Sequence, residues 1–263
     1  MKTRLLLTLS ILCVVIIPAA IIPAMAASCE SLSSLTLPDT TITLAQVVAP
    51  GEFHPPTAAA QVSGLRDFPA FCRVTATLKP TNDSDIKIEV WLPASGWNGK
   101  FQAVGNGGWA GVISYLAMAQ AVAHGYATAS TDTGHVGASG SFALGHPEKL
   151  TDFGYRAVHE MTVKAKAIIG AFYGDAPKLS YWNGCSTGGR QGLKEAQRFP
   201  NDYDGIVAGA PPIPEPVSRS RLCGSHRPRT KTRPATFLRR STRRSTRRCL
   251  MPATRWMVSK TAC

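Results

Sequence analysis

The chain has 263 residues, 44% of them hydrophobic, enough apolar side chain for one large domain and incompatible with disorder throughout. Its formal net charge of +13 points at first to a polyanion binder, but the charge is segregated. Residues 1–216 hold 15 Lys and Arg against 16 Asp and Glu, whereas residues 217–263 hold 14 Lys and Arg and no acid at all. The body is close to neutral, so no specific nucleic-acid binding is expected of it.

At the start of the chain Lys2 and Arg4 precede an apolar run from Leu5 to Ile17, and Ala24-Met25-Ala26 follows. This is the pattern of a secretory signal peptide over residues 1–26. Pro18, Pro23 and the cleavage pattern argue against a membrane anchor. The expected location is therefore secreted or periplasmic, with no membrane association after cleavage. The residues before Cys29 lack the branched side chain of a lipoprotein site. Export favours oxidised cysteines. Cys29 and Cys72, the two in the N-terminal part of the body, are the natural candidates for a bridge, and Cys185 has no obvious partner within the body. No CxxC pair or Cys/His cluster marks a zinc site, and no metal is expected.

From residue 86 the body reads as alternating strands and helices. Residues 86–92 alternate apolar and polar, which predicts a half-buried strand. A second strand is expected over 101–104, running into Gly105-Asn106-Gly107-Gly108. A helix is expected over 113–124 with Gly125 at its end, then a strand over 126–131. Residues 157–173 place Val158, Met161, Ala165, Ile168, Ile169 and Phe172 at helical spacing, with Gly174 as terminator. A strand over 179–182, a helix over 188–199 stopped by Pro200 and a strand over 205–208 complete the series. Such alternation predicts an α/β fold with a mostly parallel sheet and flanking helices.

Gly184-Cys185-Ser186-Thr187-Gly188 fits G-x-S-x-G and lies between an expected strand and an expected helix. A sharp turn there strains the serine backbone and lifts its hydroxyl above the sheet, making Ser186 the candidate nucleophile. The N–H of Thr187 and the helix N-terminus face the developing oxyanion. A second donor is expected from the glycine-rich loop, at Gly107 or Gly108, where the backbone can approach a carbonyl closely.

The segment Tyr181–Gly192, followed by Phe199-Pro200-Asn201-Asp202-Tyr203-Asp204-Gly205-Ile206, resembles the tannase/feruloyl esterase family of α/β-hydrolases. Supporting matches are Trp97–Phe101, Gly105–Gly108, Thr128–His135, and Cys29 with Cys72, so the resemblance covers roughly residues 29–212. It implies hydrolysis of carboxylic esters of aromatic acids by a Ser-His-Asp acyl-enzyme route, with a small aromatic ester as partner. Ser186 matches the nucleophile and Cys29 with Cys72 the family's N-terminal bridge. Cys185 matches a cysteine that the family bridges to one beside the catalytic histidine.

The resemblance stops near Pro212–Glu215, before the point where the family carries a lid, often with calcium, and then its triad acid and His-Cys pair. The expected domain is therefore a partial α/β-hydrolase over residues 27–216, cut off before the lid and the C-terminal part of the sheet. No cofactor is expected, including the lid's calcium. Beyond it, residues 217–263 contain no carboxylate, and their one histidine, His226, precedes Arg227 rather than Cys. Cys185 thus lacks the family's partner, and the triad acid and base are missing, so little turnover is expected. Asp132 and His135 are read as binding or structural, Asp202 and Asp204 as capping or solvating their loop, and His159 as packed or solvated. The tail, with its Arg-rich run from Arg239 to Arg248, reads as a frameshifted translation, a disordered segment or a basic arm. The first is favoured because composition changes abruptly inside an expected strand-to-helix connection. A basic polyanion-binding protein with a vestigial hydrolase domain is the alternative function; a noncatalytic aryl-ligand binder is a third.

Overall fold

A computed structural model describes residues 27–56, 68–109 and 111–212, and the backbone of 255–257. The expected signal segment, and His226 and the Arg-rich run of the tail, lie outside the described residues. The strands are β1 (Thr40–Val48), β2 (Phe71–Leu78), β3 (Ile86–Pro93), β4 (Lys100–Val104), β5 (Ala127–Thr131), β6 (Leu179–Cys185), β7 (Gly205–Gly209) and β8 (Arg255–Met257). The helices are α1 (Tyr115–Ala123), α2 (Pro147–Thr151), α3 (Ala157–Tyr173) and α4 (Thr187–Arg198). A single π-helical turn, Asp152–Arg156, joins α2 to α3.

The strands form one sheet in the order β1-β2-β3-β5-β4-β6-β7-β8. Pairing is antiparallel from β1 to β5 and parallel from β5 through β4, β6 and β7 to β8. The sheet is therefore mixed, because β1 and β2, which sequence reasoning did not find, add an antiparallel meander to the parallel half. At the β7 edge, Gly205–Val207 pair in parallel with Arg255–Met257.

Helix α3 forms because its apolar residues recur every three or four positions. Val158, Met161, Ala165, Ile168 and Ile169 are all buried against one face of the sheet. Gly174 ends it in the left-handed region, φ 75°, donating its N–H to Gly170 O. The opposite face is covered by α1, whose Tyr115, Met118, Ala119 and Val122 pack with Phe53, Phe68, Phe71 and Trp91. Burying each of these large side chains stabilises the fold by about 1.5–3 kcal/mol.

Strand β3 is not the half-buried strand that its alternation predicts. Of its eight residues only Lys87 is exposed, because β3 lies inside the sheet with helices on both faces. Its polar member Glu89 is 5% exposed and satisfied internally. Arg73 grips its carboxylate through Nη2 at 2.6 Å and Nε at 2.9 Å, while Trp91 Nε1 and the Tyr115 hydroxyl donate to it. Cys29 and Cys72 form a disulfide that ties the N-terminal segment to β2.

Candidate active site

The parallel half of the sheet sets the position of the site. The chain leaves β4 by way of α1 on one face to reach β5, then leaves β6 by way of α4 on the other face to reach β7. Strands β4 and β6 are neighbours, so helices diverge to opposite faces at their adjoining C-terminal ends. A crevice opens at such a switch point, and ligands of open α/β sheets bind there. The loop after β4 is Gly105–Gly108; the turn after β6 is Ser186.

Ser186 adopts φ 56° and ψ −119°, a conformation that a residue with a side chain rarely holds. Backbone bonds on both sides fix it: its N–H donates to Gly209 O at 2.9 Å, and its carbonyl accepts from Arg190 N–H at 3.0 Å. Serine at a helix N-cap commonly accepts a hydrogen bond from the first turn. Here the side chain makes no capping bond, and the residue is exposed, so its hydroxyl remains available for chemistry. Gly184 before it and Gly105 on the neighbouring loop are required by space. A Cβ on Gly184 would lie 2.6 Å from the backbone of Gly188, and one on Gly105 would lie 2.5 Å from Gly188 Cα.

The two loops are locked together. Gly188 N–H donates to Asn106 O at 2.8 Å, and the Thr187 hydroxyl donates to Gly108 O at 2.8 Å. The buried Asn106 side chain donates to Val112 O and Thr131 O and accepts from Gln191 Nε2, while the Asn106 N–H donates to Gln191 Oε1. Thr187 N–H is one of the orphan donors of the helix start. Neither Gly107 nor Gly108 donates its N–H to an acceptor among the described residues. An added Cβ at either would meet nothing within 4 Å, so both face open space. Asn106 and Gln191 were not singled out by sequence reasoning; the signal for them was the polar residue inside each glycine-rich segment.

The neighbouring Thr131–His135 segment is held by internal hydrogen bonds. His135 Nε2 donates to Trp109 O at 2.6 Å, and the ring stacks on Phe142 at 3.8 Å. Asp132 Oδ1 accepts from the N–H groups of Lys87 and Gly134. Burial pushes its carboxyl up to about 7, against the pull of those two backbone bonds. Thr133 holds φ 62°, an outlying conformation for a β-branched residue. Trp109, half exposed, follows the glycine loop directly and stacks on Phe153 at 5.0 Å.

The other described histidines are held away from Ser186 chemistry. His124 pairs with Gln120 O, His146 with Asp83 and His159 with Asp202; His54 lines a cavity of about 220 Å³ beside β1. Among the described residues none hydrogen-bonds the Ser186 hydroxyl. Asp202 is not the solvated loop residue expected: its side chain is 13% exposed and bonded to His159 at 2.7 Å. Asp204 caps the loop as expected, accepting from Ser180 N–H at 2.7 Å. Cys185 is disulfide-bonded, which the sequence reading, having no partner to assign it within the body, did not anticipate.

Comparison with known proteins agrees with this geometry. The family described as tannase and feruloyl esterase matches residues 72–222, more than half of the chain. An uncharacterized esterase of Xanthomonas campestris pv. campestris is 45% identical over 187 residues, covering 70% of this chain and 32% of the relative. A probable feruloyl esterase B-1 of Aspergillus fumigatus is 44% identical over 164 residues, covering 62% and 31%. Among solved structures, feruloyl esterase B from Aspergillus oryzae superposes with a TM-score of 0.64 at 38% identity, covering 70% of this chain and 36% of that one. Tannin acyl hydrolase from Aspergillus niger gives 0.54 at 27% identity, covering 68% and 34%. The chain spans about a third of the length of these relatives. With the family match and the elbow geometry in agreement, the chain belongs to the tannase and feruloyl esterase family.

Proposed function

We propose that the chain is the nucleophile-bearing part of an exported serine ester hydrolase that cleaves carboxylic esters of aromatic acids through an acyl-enzyme on Ser186. The observation that carries this reading is the conformation of Ser186, held in a strained turn between β6 and α4 with its hydroxyl uncommitted. In the reaction Ser186 Oγ attacks the ester carbonyl while its proton passes to a base, solvent or added imidazole, which returns it to the leaving alcohol. The Thr187 N–H and the N–H of Gly107 or Gly108 receive the charge on the carbonyl oxygen, the alcohol leaves, and water then releases the acid. The half-exposed Trp109 beside the glycine loop offers an aromatic face to the acid. The disulfide between Cys29 and Cys72 agrees with an oxidising compartment.

Among the described residues no histidine bonds the Ser186 hydroxyl, and on this reading the chain turns over slowly without an added base. The experiment is hydrolysis of methyl ferulate by the purified chain, alone and with imidazole as an external base, beside Ser186→Ala. The reading predicts slow hydrolysis that imidazole accelerates in the parent and not in the variant. Brisk hydrolysis without imidazole, abolished by Ser186→Ala, would refute the missing-base part alone. Equal rates in parent and variant under both conditions would refute the nucleophile.

The charge of residues 217–263 supports a second reading, in which the tail engages polyanions. It predicts retention on heparin that falls steeply with salt and disappears when those residues are removed.

A further inference from the structure

Ester hydrolysis leaves one cluster of ionisable side chains unused, at the far end of α4 from Ser186. Glu195 is completely buried, and neither of its carboxylate oxygens has a hydrogen-bond partner. Facing it are His159 from α3 and Asp202 from the turn before β7, and one donor atom from each of the three lies within 4.8 Å of the others. The His159 ring is held by stacking on Phe199 at 3.8 Å, with Nδ1 2.7 Å from Asp202 Oδ2. Side chains of His159 and Asp202 keep 28% and 13% of their surface exposed, which leaves a solvent route to the cluster.

Two carboxylates turned toward each other in a protein interior repel unless a positive charge or a proton lies between them. His159 bonds Asp202, but no lysine or arginine among the described residues bonds either carboxylate side chain. Lys166 Nζ donates to the backbone carbonyl of Asp202 at 2.6 Å, Lys164 pairs with Glu160, and the Arg198 guanidinium lies over the Tyr155 ring. The Tyr203 hydroxyl is bonded to Thr162. Among the described residues the one group that can share a proton with Glu195 is the Asp202 carboxyl.

We propose that His159, Glu195 and Asp202 form a site for one divalent transition-metal cation of the zinc class. One imidazole nitrogen and two carboxylates suit zinc or manganese, whereas calcium prefers six to eight oxygens. Ligand bonds of about 2.0–2.2 Å bring donor atoms within the spread seen here after small movements. The three ligands come from α3, α4 and the turn into β7, so a bound cation clamps the helix that begins at Ser186 against the sheet. Sequence patterns carry no trace of the site because its ligands lie on three separate elements. It does not depend on the ester-hydrolase reading.

The test uses the full chain, stripped with a chelator and titrated with zinc and, separately, with cobalt. The expected result is one zinc per chain retained through gel filtration, with Tm raised by about 5–10 °C at a hundredfold excess over Kd. Glu195→Gln, which keeps the shape and removes charge, should weaken zinc binding about a hundredfold, and Glu160→Gln, beside His159 on α3 and paired with Lys164, should not change it. Cobalt should give visible bands without the near-ultraviolet band of sulfur ligation, which separates this site from the cysteines of the chain. Zinc affinity in Glu195→Gln equal to the parent would overturn the proposal, as would a sulfur-type cobalt spectrum. Absence of binding would also overturn it and leave a proton shared between the two carboxylates as the resolution.

Discussion

The two ends of α4 solve opposite problems. At its start, side chains are removed so that backbones can touch: Gly105 and Gly184 let the β4 loop and the β6 turn approach the start of the helix to a distance no Cβ allows. The resulting strain falls on Ser186 and frees its hydroxyl. At its far end, ionisable side chains are packed inward against one another, with Glu195 buried beside Asp202. Burial first, and the neighbouring Asp202 second, push the Glu195 carboxyl well above the usual carboxylate range. The first end is encoded by small residues clustered in two short glycine-rich segments. The second is encoded by three residues that only the fold brings together. The difference teaches that local steric requirements leave a readable mark on a sequence, whereas clusters assembled across elements do not.

The comparison is broken most severely at the glycines. Gly184→Val should destabilise the fold by about 3 kcal/mol or more, because the backbone of Gly188 cannot retreat from a side chain at 2.6 Å. Urea unfolding checks this, and a variant as stable as the parent would mean that the close approach is not required. Asn106→Ala should cost about 1–3 kcal/mol, since it leaves Gln191 Nε2 and the carbonyls of Val112 and Thr131 without their partner. The same variant should loosen the loop that carries Gly107 and Gly108, seen as faster amide exchange there.

Asp132 sharpens the comparison from a neighbouring strand, because it too is a buried carboxyl, but one with two backbone donors. Its raised value means that the folded state binds the proton more tightly than the unfolded chain does. Stability should therefore fall as pH rises from about 4 to about 7, by on the order of 1 kcal/mol per pH unit at most, and level off above. Asp132→Asn keeps an oxygen for the Lys87 and Gly134 N–H groups and should lose that dependence. Parallel pH profiles for parent and variant would contradict this account.

The smallest expected effect is a gain. Ser186→Gly places at φ 56° a residue that tolerates it, and thermal unfolding should show stabilisation of about 1 kcal/mol. No gain would mean that the turn is not strained.

Much of the parallel half was legible. The α3 boundaries at 157 and 173 match the expected helix, because its apolar spacing and Gly174 are unambiguous. The strands at β4, β5, β6 and β7 lie where short apolar runs meet glycine-rich turns. Strands β1 and β2 were missed, although Cys72, Val74, Ala76 and Leu78 alternate in burial with Arg73, Thr75 and Thr77; the period-two signal was present, diluted by threonines and alanine. In β3 the alternation was misread, because Glu89 looks solvent-facing until Arg73, on the unrecognised neighbour, accounts for its burial. In the site, Ser186 and the glycine loop were visible as motifs. The Asn106–Gln191 bonds and the His159–Asp202 pair were not, since each joins residues more than forty positions apart.

The central claim is that Ser186 is the nucleophile of an aromatic ester hydrolase. The most direct measurement is peptide mass spectrometry after incubating the chain with an activated p-nitrophenyl ester of ferulic acid and imidazole. The account predicts one feruloyl group, on the peptide carrying Ser186, which accumulates and is absent from Ser186→Ala. Acylation scattered over lysines with Ser186 unmodified would contradict it.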